Sequence, residues 1–166
     1  MEVSDASNAI LADLLEAHTG QELLPARRWR IGSALAGIMR ELGLAHADAL
    51  IARVNRDRNG PLARRVIEAL LNNETYFFRD KALFDLLGQR ALPDLARRRA
   101  DTARLSIWSV GCSTGQEALS LAMMLAEQEP RWAGWRIDIL ATDVSEAVVD
   151  AARRGVYSQF QVQRGL

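Results

Sequence analysis

The chain has 166 residues, 49% of them hydrophobic, and its 21 basic residues balance its 21 acidic ones. This composition is typical of a folded protein with one ordinary domain or two small ones, and a neutral chain without a polybasic tail argues against nucleic acid as the main partner. Its single cysteine excludes an internal disulfide, and its first residues lack the long apolar run of a signal peptide or membrane span. We therefore expect a cytoplasmic protein that is not inserted in a membrane.

The charges are distributed unevenly over the N-terminal part of the chain. Residues 1–23 carry five acidic residues and no basic one, whereas residues 24–65 carry nine arginines and three acidic residues, a net charge of +6. A basic region of this kind favours either an acidic partner or a solvated arginine-rich face. The sequence leaves both readings open.

Apolar residues recur at helical spacing through residues 1–72 and predict four helices. Gly20 and Gly43 are suited to end the first two, because glycine readily adopts the left-handed conformation of a helix C-cap, and Pro61 is suited to begin the fourth. We expect this N-terminal domain to be a compact helical bundle. The expected helices end at residue 19, span 26–42 with Trp29 in the apolar run, span 47–56, and begin at 61.

A loop and two connecting helices are expected over residues 73–103. The loop reads Asn-Glu-Thr-Tyr-Phe-Phe-Arg at residues 73–79, where polar residues interrupt an apolar helical run just before an aromatic pair and an arginine. The first connecting helix is expected to span residues 81–87 and to be stopped by Gly88, and the second to span residues 93–99.

Strand and helix signals alternate in residues 104–166. Each strand signal is a short run rich in β-formers, and each is followed by a helical pattern. This βαβα order predicts parallel strands joined by right-handed crossovers, and thus an α/β fold. The expected elements are a strand at 105–110, a glycine loop at 111–115, a helix at 117–127 stopped by Pro130, a strand at 135–142, and a helix capped by Ser145 that ends at Gly155.

The ends of the two predicted strands carry the candidate binding residues. In doubly wound sheets, ligands bind where a glycine turn and a helix N-terminus follow a strand. Asp143, after the second strand, could accept hydrogen bonds from ribose hydroxyls or could serve as a helix N-cap. The loop at 111–115 could equally be only a turn, and Glu117 only a favourable acid in the first turn of a helix.

Three separated motifs, at residues 73–79, 111–117 and 141–143, together resemble the CheR family of chemotaxis protein-glutamate methyltransferases, which use S-adenosylmethionine. The resemblance implies a helical N-terminal domain at 1–72 and the first βαβα part of a Rossmann-like methyltransferase domain at 104–166. The family's domain has a seven-stranded sheet, so the chain is expected to be a truncated or partly ordered version of a longer enzyme. Such a truncated sheet could self-associate, and the 166 residues alone are expected to be inactive.

The resemblance also implies the residues of the site. Cofactor contacts are expected at Asn73, Thr75, Arg79, Glu117 and Asp143, with Glu117 holding the amino group of the methionine moiety. A glutamate substrate is ionised at neutral pH and needs no general base, so the catalytic task is orientation. Arg79 suits that task, because a guanidinium can hold a carboxylate in two-point geometry.

The partner implied by the resemblance is a methyl-accepting chemotaxis receptor, which the basic helical region could meet through Arg53 and Arg56. One alternative is a non-catalytic receptor-binding or signalling adaptor with a residual methyltransferase fold. A nicotinamide-dependent oxidoreductase is a weaker alternative, since the glycine loop is not G-x-G-x-x-G. No metal is expected, because Cys112 and the two histidines are isolated in the sequence.

Overall fold

The computed structural model describes residues 3–165, which divide into two compact units on either side of the bond between Asn72 and Asn73. None of the helices in this described part is both long and apolar enough to cross a membrane. Each unit has its own cluster of buried apolar side chains.

The N-terminal unit is helical. Helix α1 begins after Ser4, whose hydroxyl accepts a hydrogen bond from the amide of Ser7, and it ends at Gly20, which has the left-handed conformation predicted for it (φ 69°). Pro61 is the first residue of its helix, as predicted. The elements are α1 (Asp5–Thr19), a 3₁₀ helix (Pro25–Arg30), α2 (Ile31–Glu41), α3 (Ala47–Arg56) and α4 (Pro61–Leu70).

The second helix differs from its prediction at its start. A single α-helix was expected from residue 26, but residues 25–30 form a separate 3₁₀ helix in which no residue is buried. Trp29 is 78% exposed, whereas Ile31, two residues later, is buried. Two residues correspond to about half a helical turn, so the two side chains lie on opposite sides of the segment. Trp29 is therefore not part of the core.

The core of the N-terminal unit is built from all four α-helices. Leu14, Leu35 and Leu50 are completely buried in it. Each such side chain contributes roughly 1.5–3 kcal/mol by leaving water, so this cluster dominates the stability of the unit. The cluster contains Leu11, Leu14, Leu15, Ile31, Leu35, Ile38, Met39, Ala47, Leu50, Ile51, Val54, Ala63, Val66, Ile67 and Leu71.

The second unit combines helices with a parallel pair of strands. One helix end differs from its prediction, as described below, while Ser145 caps its helix by accepting from the amide of Val148, as predicted. The elements are α5 (Lys81–Leu86), a π-helical turn (Leu87–Ala91), α6 (Leu92–Arg98), β1 (Arg104–Val110), α7 (Gln116–Glu127), α8 (Glu129–Trp132), β2 (Arg136–Thr142), α9 (Glu146–Arg154) and α10 (Gln159–Gln163).

Gly88 does not end a helix, contrary to the prediction. The chain continues from α5 through the π-helical turn into α6. A Cβ atom at Gly88 would lie 3.3 Å from Nε2 of Gln128 and 3.5 Å from the sulfur of Met124, so glycine here permits close packing against the end of α7. The helix before Pro130 ends at Glu127, as predicted, and Pro130 lies in the first turn of a further short helix, α8, where proline is tolerated.

The two strands run parallel, with Arg104 opposite Arg136 and Val110 opposite Thr142. One face of this pair packs on the helices through a cluster of Phe84, Leu92, Leu105, Leu121, Met124, Leu125 and Trp132. The other face carries large apolar side chains that are exposed: Trp108 (65%), Val110 (66%) and Leu140 (60%). Both strands end at the same edge of the sheet, where the candidate site residues follow them.

Candidate functional site

The glycine loop at residues 111–115 joins β1 to α7 and is fastened to the end of β2. The amides of Gly111 and Cys112 both donate to the carbonyl oxygen of Thr142, at 2.8 and 2.9 Å. Gly115 has φ 96°, and a Cβ atom there would lie 3.0 Å from both the Ala152 side chain and the Tyr157 hydroxyl. Both backbone conformation and space therefore require glycine at this position.

Asp143 connects the glycine loop to the segment after β2. One carboxylate oxygen accepts from the amide of Ser113 at 2.8 Å, and the other accepts from the amide of Ser145 at 3.0 Å. The helix cap itself is Ser145, which resolves the choice between these two residues. Each carboxylate oxygen has a second lone pair, so Asp143 can still accept hydrogen bonds from a ligand.

The loop at 73–79 is held against the glycine loop and α7. The hydroxyl of Ser113 donates to the carbonyl oxygen of Asn73 at 2.7 Å, and the amide of Phe78 donates to the buried hydroxyl of Ser120 at 3.0 Å. Phe77 is buried, with its ring 5.1 Å from the ring of Tyr157 in an edge-to-face arrangement. The fold thus brings together motifs that lie about 40 residues apart in the sequence.

Ser113 is the residue that joins two of the predicted positions, Asn73 and Asp143. Its amide bonds Asp143, its hydroxyl bonds Asn73, and its φ of 50° places it in the left-handed region that non-glycine residues rarely adopt. A backbone in this conformation persists only where its surroundings hold it, and such residues cluster at functional sites.

Glu117 lies in the first turn of α7 with its side chain exposed. One of its carboxylate oxygens accepts from the hydroxyl of the buried Ser109 at 2.7 Å, which orients the side chain. The N-cap residue of α7 is Gly115, which has no side chain to cap the helix. The first amides of this helix are therefore left for other acceptors.

Arg79 and Thr75 complete the loop at 73–79. Arg79 is exposed, donates from one guanidinium nitrogen to the carbonyl oxygen of Glu74 at 2.6 Å, and lies 5.8 Å from the centre of the Tyr76 ring. Thr75 is half-buried in the same loop. A guanidinium has five N–H donors, so the bond to Glu74 leaves most of them available.

Cys112 is buried within the glycine loop. Burial raises the pKa of its thiol, and the nearby negative charge of Asp143 raises this pKa further. The thiol therefore stays protonated and is a poor nucleophile. Among the described residues, no group of three or more histidine, cysteine or acidic side chains could hold a metal ion.

Residues 73–166 match the sequence model of a protein family described as "CheR methyltransferase, SAM binding domain". The chain belongs to the CheR methyltransferase family. The resemblance seen in its three motifs is thereby confirmed, and S-adenosylmethionine is the cofactor of the matched domain.

Curated relatives match the chain over nearly its whole length. It is 34% identical over 169 residues to "Chemotaxis protein methyltransferase 1" of Pseudomonas aeruginosa, covering 100% of this chain and 61% of the relative. It is 32% identical over 166 residues to "Chemotaxis protein methyltransferase" of Vibrio parahaemolyticus, covering 99% and 59%. The corresponding protein of Borreliella burgdorferi is 31% identical over 146 residues, covering 86% and 52%. The chain thus spans about three fifths of the length of the first two relatives.

The chemistry of this CheR-family site fits its cofactor. S-adenosylmethionine carries a sulfonium and an ammonium group, ribose hydroxyls and a carboxylate. The site offers two carboxylates, Glu117 and Asp143, together with the first amides of α7. Glu117 and Asp143 are the residues that would face positive charge or hydroxyl donors, and the amides would face an anion.

Arg53 and Arg56 lie in the N-terminal unit of this CheR-family chain. Both are exposed on α3, on the side away from its buried residues Leu50, Ile51 and Val54. Neither forms an ion pair within residues 3–165. Their side chains are available to a partner.

Sequence reasoning missed three residues that shape the site: Ser109, Ser113 and Tyr157. The first two lie in or next to a recognised motif, but their contacts depend on which residues the fold brings near. Tyr157 follows α9 and donates its hydroxyl to the carbonyl oxygen of Thr114 at 2.6 Å. Its only sequence signal was an aromatic residue two positions after the helix-ending Gly155.

Proposed function

We propose that the protein transfers a methyl group from S-adenosylmethionine to glutamate side chains of methyl-accepting chemotaxis receptors. The main observation in support is the pair of hydrogen bonds of Ser113, which joins the loop at 73–79 to the glycine loop and Asp143. All of these residues lie in the region that matches the family. The names of the relatives support a role in chemotaxis. The proposal keeps the cytoplasmic location expected from the sequence.

The proposed reaction needs orientation more than acid–base catalysis. The cofactor supplies a methyl group already activated by the positive sulfur, and a glutamate with a pKa of about 4.3 is already ionised at neutral pH. The chain's residues therefore have to hold the incoming carboxylate in line and exclude water. Arg79 is the proposed catalytic residue, because its remaining donors can bind a carboxylate at two points.

We propose that Asn73, Thr75, Arg79, Glu117 and Asp143 contact the cofactor. Asp143→Ala should weaken the binding of S-adenosylhomocysteine, measured by calorimetry, by about tenfold or more, the loss typical of removing a hydrogen bond to a charged group. Asp150→Ala is the matched control, since it removes an exposed aspartate of α9 that forms an ion pair with Arg153. Unchanged affinity in Asp143→Ala would remove this residue from the site.

Methylation of receptor glutamates by the full-length protein, with radiolabelled S-adenosylmethionine, tests the reaction itself. We expect label in the receptor, and its loss in Arg79→Ala with cofactor binding reduced much less. Cofactor binding without any transfer would instead favour a non-catalytic adaptor with a residual methyltransferase fold. Binding of NAD in place of S-adenosylhomocysteine would favour an oxidoreductase.

We further propose that the basic N-terminal unit meets an acidic surface of the receptor through Arg53 and Arg56. Both arginines are exposed and unpaired among the described residues. Opposite charge would speed the encounter in a salt-dependent way. Changing both to glutamate should slow receptor methylation and spare cofactor binding. The same change at Arg27 and Arg28 is the charge-matched control, and equal rates for both double variants at low salt would contradict the proposal.

The exposed face of the strand pair motivates a proposal about the 166 residues taken alone. Trp108, Val110 and Leu140 leave an apolar surface uncovered, and isolated strand pairs have open edges that favour pairing with another chain. We propose that this polypeptide self-associates through that face and does not methylate receptors at a useful rate. Light scattering should show a Trp108→Ser variant to be less associated than the parent. Turnover by the 166 residues equal to that of a full-length relative would contradict the second part.

A further inference from the structure

Tyr157 contacts both loops of the site, although it lies outside all three motifs. Its hydroxyl donates to the carbonyl oxygen of Thr114 at 2.6 Å, and its ring packs edge-to-face on Phe77 at 5.1 Å. The first contact fixes the glycine loop, and the second fixes the loop at 73–79. Burial raises the pKa of the phenol, so the hydroxyl remains a hydrogen-bond donor at neutral pH.

The hydrogen bond from Tyr157 to Thr114 acts at the start of α7. Its carbonyl group precedes Gly115, the residue with φ 96° that turns the chain into α7, and the Tyr157 hydroxyl lies 3.0 Å from where a Cβ atom of Gly115 would be. The hydrogen bond therefore fixes the orientation of the peptide that begins the helix. Glu117 lies in the first turn of that helix, so its carboxylate depends on the same anchor.

The segment around Tyr157 is itself fastened to the loop at 73–79. Arg164, just after α10, forms an ion pair with Glu74 at 2.6 Å. Gly165 approaches the Phe77 backbone so closely that a Cβ atom there would lie 1.8 Å from its carbonyl oxygen. Tyr157 is thus held by its own segment rather than left free to follow the glycine loop.

We propose that Tyr157 is a positioning residue for the amino-acid end of the cofactor, acting through Thr114 on the start of α7 and on Glu117. This inference rests on the proposed cofactor site. It does not require Tyr157 to touch the cofactor. The inference assigns different supports to the two carboxylates of the site. Glu117 depends on Tyr157, whereas Asp143 is held by the amides of Ser113 and Ser145.

The test compares two ligands in Tyr157→Phe, which removes the hydroxyl and keeps the ring against Phe77. S-adenosylhomocysteine has the amino-acid portion, and 5′-methylthioadenosine lacks it. Loss of one hydrogen bond at the anchor should weaken S-adenosylhomocysteine binding by about three- to tenfold in calorimetry, with 5′-methylthioadenosine binding unchanged within about twofold. In the absence of ligand, amide hydrogen exchange should become faster at residues 114–117.

Thr102→Val is the matched control. The Thr102 hydroxyl also donates to a backbone carbonyl, that of Arg99 at 3.1 Å, but it lies before β1, at the opposite end of the strand from the glycine loop. We expect no change in either ligand's affinity. An equal weakening of both ligands in Tyr157→Phe would show a general structural role, and unchanged affinity for both would show no role; either result would overturn the inference. Failure of the unsubstituted protein to bind S-adenosylhomocysteine would instead refute the proposed cofactor site, and the inference with it.

Discussion

Within the described residues, the N-terminal unit buries fifteen apolar side chains in one cluster, whereas the cluster of the second unit contains seven. The second unit instead buries five polar side chains, and the N-terminal unit two, Ser7 and Asn8. The five are Ser109, Ser113, Gln116, Ser120 and Ser145.

These five residues lie in or beside the elements of the candidate site. Ser109 bonds Glu117, Ser113 bonds Asn73 and Asp143, and Ser120 bonds Phe78. Apolar burial is non-directional, whereas a hydrogen bond fixes both partners in distance and angle. Apolar packing therefore holds the helical bundle together, while directional polar contacts define the site.

The largest expected effect is on the apolar core. Leu50→Ala should lower the free energy of unfolding by about 2–5 kcal/mol, because it removes a completely buried side chain and leaves a cavity. Urea unfolding monitored by circular dichroism measures the loss. Leu24→Ala, at a leucine that is 45% exposed, is the control and should cost far less. Equal losses in the two variants would contradict the conclusion that the buried apolar cluster holds the N-terminal unit together.

The next largest effect is expected in the glycine loop of the second unit, where a substitution should lower both stability and cofactor affinity. Gly115→Ala forces a side chain into φ 96° and against Ala152 and Tyr157, so we expect a loss of about 1–3 kcal/mol in stability and at least tenfold in S-adenosylhomocysteine affinity. Calorimetry and thermal unfolding measure the two quantities.

Gly134→Ala is the comparison variant, because Gly134 also has a positive φ, 79°, but among the described residues no atom beyond its own chain neighbours lies within 4 Å of the added Cβ. It should lose stability and retain full cofactor affinity. Loss of affinity in both glycine variants would mean that stability alone, and not the geometry of the loop at 111–115, controls binding.

The smallest expected effect is on the stability contributed by Asp48, a hydrogen-bonded carboxylate of the N-terminal unit. Hydrogen bonds from the side chain of Ser7, and then from Ser4, lower the pKa of Asp48 below its ordinary value of 3.8. A lowered pKa in the folded state means that this contribution to stability is present above about pH 3.8 and is lost as the pH falls through the folded-state value.

Urea midpoints of the parent protein and Asp48→Asn should therefore differ slightly at pH 7 and converge at low pH. Glu22→Gln is a control, since it removes an exposed carboxylate of the same unit. A difference between the parent and Asp48→Asn that grows on acidification would contradict the assignment.

The sequence predicted most helices, both strands and their order, because these follow from local spacing and end signals. Gly20, Pro61 and Ser145 have the roles expected of them. Gly88 and Trp29 were interpreted wrongly for related reasons. A glycine ends a helix only if nothing favours continuing it, and an apolar residue is buried only if another element covers it.

The sequence also determined the family, since three short motifs separated along the chain are specific when taken together. Only the tertiary structure decided how those motifs meet. Ser113 reaches Asn73 across 40 residues of sequence, and Tyr157 reaches Thr114 across 43. Helix and strand signals depend on the spacing of neighbouring residues, whereas these long-range hydrogen bonds depend on the register and packing of whole elements. For that reason the motifs could be read from the chain, but the side chains that hold them in place could not.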